Sequence, residues 1–220
     1  AKALPEQFYT NSHTVLPVIT PENCEEFIRN VTVPTLGILI WSWFSGSSRL
    51  LSVAMHLPFL ACVLFPVDLR YGWDLRLPKV QRLLKKVDEV FKPFCTTIEM
   101  RCKYWSIAGY KRDKEATSQF RKNEEQMLSF VLTHVLFLIA VLRHAWLENP
   151  TTSAIWKHSP LLALEDVEVI VKNTKNTCAC AFSPEPDGER SEKKTKVKAT
   201  FELVNSVKPC RCRKGHTICW

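Results

Sequence analysis

The sequence predicts an α+β fold: a mostly α-helical N-terminal two-thirds around a central apolar helix, and a small antiparallel β module at the C-terminus. Three observations predict it. Residues 127–142, MLSFVLTHVLFLIAVL, carry no charge, no Gly and no Pro, and are flanked by Glu124–Glu125 and Arg143–His144. Residues 77–94 place Leu77, Val80, Leu83, Leu84, Val87, Val90, Phe91 and Phe94 at three- and four-residue steps, the signature of an amphipathic helix. After Asn149–Pro150 the pattern turns to alternation, at Val167, Val169 and Val171 and again at Val197, Ala199, Phe201 and Leu203, as strands require. These shifts divide the chain into an N-terminal segment (1–32), a helical region (33–148) and a Cys-rich β module (149–220).

Along the chain, Thr20-Pro21-Glu22 reads as a helix start, with a hydroxyl to accept a backbone N–H, Pro in the first turn and an acid at the positive end of the dipole. That helix runs to about Asn30, where Asn30-Val31-Thr32 forms a glycosylation sequon. Residues 33–67 are the second most apolar region, divided at Ser45-Gly46-Ser47-Ser48. Their second half, residues 50–67, has no formal charge and meets the lower limit of about 17 residues for a membrane span. Residues 68–126 are basic, with fourteen Lys or Arg against nine Asp or Glu, a net of +5. In the amphipathic helix Pro78 sits in the first turn and Pro93 stops it. Residues 95–110 read as a mixed, helical piece, and residues 111–122 as a solvated connection.

Two readings of the apolar segments stand side by side. In the first they form a membrane hairpin. Trp41, Trp43, Tyr71, Trp73 and Trp146 then lie where aromatic belts sit, and the basic stretch between the spans faces the cytoplasm. Both termini would lie outside, giving Asn30 a lumenal position and gathering Cys24 with five late cysteines on an oxidising side. The exposed cations Lys79, Arg82, Lys85, Lys86 and Lys92 would rest on an anionic lipid surface. In the second reading the uncharged helix is the core of a soluble, intracellular domain, wrapped by amphipathic neighbours, and His56 and His134 are packing residues.

The late cysteines carry the most chemistry. Cys178 and Cys180 are two apart on an extended stretch, as are Cys210 and Cys212, so a hairpin would join the pairs. Four thiolates of this kind hold a structural zinc, with His216 and Cys219 as substitutes, although C-x-C is tighter than zinc-knuckle spacing. Disulfides and unpaired thiols are the rival outcomes. Lys and Arg cluster at Arg190, Lys193, Lys194, Lys196 and Lys198 and at Lys208, Arg211, Arg213 and Lys214, and the net charge is +8. That suits an anionic partner, yet no nucleic-acid-binding motif accompanies it.

Six glycines fall in no G-x-G-x-x-G or G-x-x-x-x-G-K arrangement, and no G-x-S-x-G or H-E-x-x-H occurs. The sequence therefore predicts no catalytic residue. It points first to a non-catalytic membrane-associated accessory or interaction subunit of the secretory pathway. A soluble α+β protein-interaction domain with a buried central helix and a structural zinc is the alternative, and a nucleic-acid-associated factor the third.

Overall fold

The computed structural model describes residues 18–31, 38–44, 61–102, 104–105, 113–157, 159–178, 191–201 and 217–218. Strand β1 (Ile38–Trp43) is formed by ILIWSW, a continuous apolar run rich in Ile and Trp. Such a run suits a strand covered on both faces, and Trp41, Ser42 and Trp43 are all buried. Strand β2 (Ala61–Val63) lies parallel to it, and the chain stays beside β1 through the bridge between Trp43 and Val67. Helix α1 (Cys24–Asn30) precedes both strands.

Helix α2 (Pro78–Phe91) crosses from β2 to β3 (Cys95–Glu99), with Pro at its start and Val80, Leu84, Val87 and Phe91 buried. Helix α3 (Lys114–Ala140) crosses from β3 to β4 (His144–Pro150), and the Asp113 carboxylate accepts the Glu115 N–H at its start. Both β3 and β4 are parallel to β1. Beyond them come the short helix α4 (Ser159–Leu162) and the antiparallel pair β5 (Val171–Cys178) and β6 (Ser191–Ala199). The sheet order is β2-β1-β3-β4-β6-β5, and β7 (Thr217–Ile218) also pairs with β6.

The mixed α and β content stands, but its arrangement is corrected. The sheet is central rather than a small C-terminal module, and four parallel strands come from the region expected to be helical. Periodicity cannot separate a short strand buried on both faces from a piece of buried helix. The strand Cys95–Glu99 replaces the start of the helix expected at 95–110, and residues 114–122 of the expected connection are the first turns of α3. Strand β5 begins where the Val167–Val171 alternation ends.

The membrane hairpin is also corrected: among the described residues, no helix is long and apolar enough to cross a membrane. Leu128, Val131, Val135 and Leu138 of α3 are buried in the core cluster, so protein covers one side of this helix. Trp41, Trp43 and Trp73 are core residues, not a belt. The disulfide and zinc expectations rested on Cys178, Cys180, Cys210 and Cys212, of which only Cys178 falls within the described residues. Cys24, Cys95 and Cys102 are free thiols, and no three His, Cys, Asp or Glu come together to hold a metal among the described residues. The lumenal reading of the Asn30 sequon, with the expected glycoprotein, rested on the hairpin.

Because β2→β3 and β3→β4 step the same way across the sheet, right-handed crossovers put α2 and α3 on one face. A buried ion pair joins them at the amino end of β4. The Arg143 guanidinium donates through both Nη atoms to the Asp88 carboxylate, which is almost fully buried, and also lies 5.4 Å over the Phe137 ring. Helix α1 is tied to α2 by Phe27, whose ring lies 5.4 Å from that of Phe91, and by the exposed Lys86–Glu25 pair at 3.2 Å. On the other side of the sheet order, Glu165 receives Lys172 at 2.7 Å, Lys198 at 2.7 Å and Lys196 at 3.3 Å, fastening the β5–β6 hairpin to the α4 segment. Partial burial raises the Glu165 pKa, but the three lysines outweigh it and hold the carboxyl down at about 2.

Removing one partner of the Asp88–Arg143 pair strands the other charge in the core. Arg143→Met is expected to cost about 3–5 kcal/mol of unfolding free energy. Adding Asp88→Leu should recover most of that loss, as read by urea denaturation of the single and double variants.

Candidate functional site

The parallel strands define where a ligand site belongs. From β1 the chain moves to one side, to β2, whereas from β3 it moves to the other, to β4. The carboxyl ends of β1 and β3 therefore flank the point where the strand order reverses, the place where open α/β sheets bind ligands. Each strand delivers a distinct group there. Just past β1 comes Phe44, a non-glycine residue at φ 59°, whose N–H donates to the Val67 carbonyl at 2.6 Å. Such a backbone costs about 1–3 kcal/mol and concentrates at functional sites.

After β2 comes Asp68, a buried carboxylate. Its Oδ1 accepts the Arg70 N–H at 2.9 Å and starts a single 3-10 turn, Leu69–Tyr71. That turn closes at Gly72, φ 86°, where a side chain would sit 3.4 Å from Pro21. After β3, Met100, Tyr104 and Trp105 are held from several sides. The Asn149 amide donates to the Met100 carbonyl at 2.7 Å, Arg121 to the Tyr104 carbonyl at 3.0 Å, and the Ala154 N–H to the Trp105 carbonyl at 2.6 Å. Tyr104 also stacks on Phe120 at 3.7 Å. A half-exposed Cys102 thiol lies on this segment.

A crevice of about 50 Å³ opens beside these loops. Phe44 and Phe120 give it apolar wall, and Asp74, Arg76, Arg101 and Glu124 give it charge. Arg76 grips Asp74 through Nε at 2.8 Å and Nη2 at 2.6 Å, holding that carboxyl below its ordinary range. Glu124 is buried and accepts the Trp105 indole N–H at 2.7 Å. Burial pushes its pKa up, against the pull of Trp105, Arg101 and Arg76. A larger cavity, about 600 Å³, lies elsewhere, between the acidic side of α1 and the basic side of α2.

The sites expected from the sequence lie apart from this edge or outside the described residues. Cys178 ends β5 opposite Glu192, while Cys180, Cys210 and Cys212 fall outside the described residues, as does His56. Asn30 is the exposed last residue of α1. Lys79, Arg82, Lys85, Lys86 and Lys92 are exposed, but the apolar face beneath them packs on the core. His134 is buried with its ring stacked on Trp43, and burial followed by Arg143 and Lys85 pushes its pKa down to about 3, so it is neutral. Burial pushes the Cys24 and Cys95 thiols up to about 12.

Sequence reading missed the carboxyl edge altogether. The available signal was the order of an apolar run, the Ser45-Gly46-Ser47-Ser48 break, a second apolar run and an acid at Asp68, roughly the spacing of a βαβ nucleotide site. No protein-family model and no characterised protein matches the chain.

Glu124 supplies a pH test of this site. Its folded pKa is raised, so its contribution is fully present below the unfolded value and is lost as pH rises through the folded one. Glu124→Gln keeps an acceptor for Trp105 and has no charge to bury. The stability of the wild type relative to Glu124→Gln should therefore fall as pH rises from about 4.5, read by thermal unfolding across pH 4–8.

Proposed function

We propose that this chain is a ligand-binding α/β domain whose site lies at the carboxyl ends of β1, β2 and β3, and that its ligand is a small molecule bearing a ribonucleoside. The observation that carries this reading is Asp68. It is a buried carboxylate just past β2, beside a point where the strand order reverses. In sheets of this kind an acid in that place accepts hydrogen bonds from ribose hydroxyls. The strained Phe44 just past β1 and the pinned residues after β3 hold the edge in place, and the crevice of about 50 Å³ between them would take only part of such a ligand. With no glycine-rich phosphate loop in the sequence, recognition rests on the sugar and base and not on a pyrophosphate.

Asp68 also starts a turn, and the test separates the two roles. Asn in its place still accepts the Arg70 N–H but loses the charge that a diol prefers. Asp68→Asn should keep the wild-type melting temperature within a few degrees and weaken ribonucleoside binding about 10- to 100-fold, the worth of a charged hydrogen bond. Calorimetry against the four ribonucleosides and their 2′-deoxy forms reads this, and the deoxy forms should not respond to the substitution. Equal binding of both sugar types by both proteins would sink the assignment. Cys102 gives an independent reading, because bound ligand should slow its alkylation in peptide-resolved mass mapping.

A second reading, an interaction domain, draws on the opposite edge. Leu142 is 90% exposed at φ 57°, and Phe94, Phe137 and Val141 are exposed near it in the chain and around the amino ends of β3 and β4. An exposed group of this kind marks contact with another protein surface. If a second copy covers it, sedimentation equilibrium should show self-association that Leu142→Asp abolishes.

A further inference from the structure

The lysine cluster of residues 193–198 has no part in the carboxyl-edge crevice, yet the topology gives it a position. Strand β6 pairs with β4 only as far as Thr195 opposite Pro150, where β4 ends. Its pairing with β5 continues past that point, through Asn176 and Lys194, Thr177 and Lys193, to Cys178 and Glu192. The β5–β6 ribbon thus extends about 10 Å beyond the carboxyl end of β4, at about 3.3 Å per residue. β7 joins it only at Ser191 and Glu192.

This ribbon is strongly basic. Its two strands hold Lys172, Lys175, Lys193, Lys194, Lys196 and Lys198 against Glu192 alone, a net of +5. Glu165 beneath it lowers the sum to +4 while fixing Lys172, Lys196 and Lys198 in place. Three of the six lysines are thereby held by the fold. The other three lie at or beyond the point where β4 stops. Lys193 and Lys194 stand on the length that passes β4, and Lys175 is the register partner of Thr195, where the overhang starts.

We infer that the β5–β6 ribbon is a binding surface for the phosphate backbone of duplex nucleic acid, lying beside the carboxyl-edge crevice. Charge complementarity selects the partner. A dense group of cations on a two-stranded ribbon matches the charge density of a phosphate backbone, and each phosphate neutralised releases counterions. Backbone contacts of this kind position a duplex without reading its sequence. The binding therefore has low sequence preference and a steep salt dependence. It requires no nucleoside in the crevice, so it holds or fails independently of the function proposed above.

The experiment titrates a mixed-sequence DNA duplex into the full chain at several salt concentrations. Lys175→Gln/Lys193→Gln/Lys194→Gln removes three cations from the ribbon. Lys79→Gln/Lys85→Gln/Lys92→Gln removes the same charge from α2 and serves as control. The ribbon variant should lower the slope of log K against log salt by about 2.7, near 0.9 for each phosphate no longer neutralised. The α2 variant should lower it by less than about 1. An equal drop in both variants would reduce the effect to net charge and overturn the inference. So would the absence of duplex binding by the wild type, or a ribbon-dependent affinity for anionic vesicles or polyglutamate that matches or exceeds that for the duplex. If the triple variant fails to melt cooperatively, Lys194→Gln alone decides, with an expected slope change of about 0.9.

Discussion

The contact on which the rest of this structure depends is the stack of Trp43 against His134. Their rings lie 4.3 Å apart at 22°, with Phe130 stacked on the same indole at 5.6 Å. Trp41, two residues away and so on the same face of β1, meets Trp43 edge-on at 5.3 Å and Phe65 at 5.9 Å. Phe65 in turn stacks on Trp73, whose indole N–H donates to the Ile19 carbonyl. A seam of large flat rings therefore joins α3, the central strand and the segments after β2. Rings of this size dominate core energetics and add orientation-dependent attraction to the area they bury. His134 must be neutral to take part, and its lowered pKa is the consequence of its burial.

That seam also locates the candidate site. Fixing Phe130 and His134 on β1 fixes the earlier turns of the same helix, because an α-helix of this length behaves as one rigid rod. Those turns carry Phe120, Arg121 and Glu124, which hold Tyr104 and Trp105 after β3. The position of that loop is thus set by aromatic packing more than a helix turn away. The Asn149 amide, at the end of β4, secures the same loop from the other side. A crevice framed in this way keeps its shape without a ligand, which lowers the ordering cost of binding.

The legible and illegible parts of the sequence differ for a physical reason. The α2 helix was readable nearly to its ends, because half of it faces water and Pro78 and Pro93 punctuate it. The long helix was readable as a helix but not as one packed against a sheet. Its start at Lys114 lies in a charged stretch, and Leu136 and Phe137 leave apolar residues on its open side. Strands β1 and β3 were not readable as strands. ILIWSW carries apolar residues on both faces, and Trp41, Ser42 and Trp43 are all buried, so no alternation marks it. Cys95–Glu99 is too short to show a period. The site was hidden for a related reason: strand order, not local pattern, brings Phe44, Asp68, Arg101 and Glu124 to one edge.

The two ends of the parallel strands differ in chemistry, and this constrains how the proposed activities coexist. At the amino ends, Phe94 and Leu142 expose apolar surface, and the charged pair beside them, Asp88 with Arg143, is internally matched. At the carboxyl ends, Asp68 follows β2, Asp74, Arg76, Arg101 and Glu124 line the crevice, and the lysine ribbon runs past β4 on the same side. A polar small molecule and a polyanion both favour the second end, whereas a protein surface seeking apolar contact favours the first. The strands that separate the two ends are stiff and mutually hydrogen-bonded. Occupying one end therefore leaves the other free, and a protein partner on Leu142 does not compete with a ligand at Asp68.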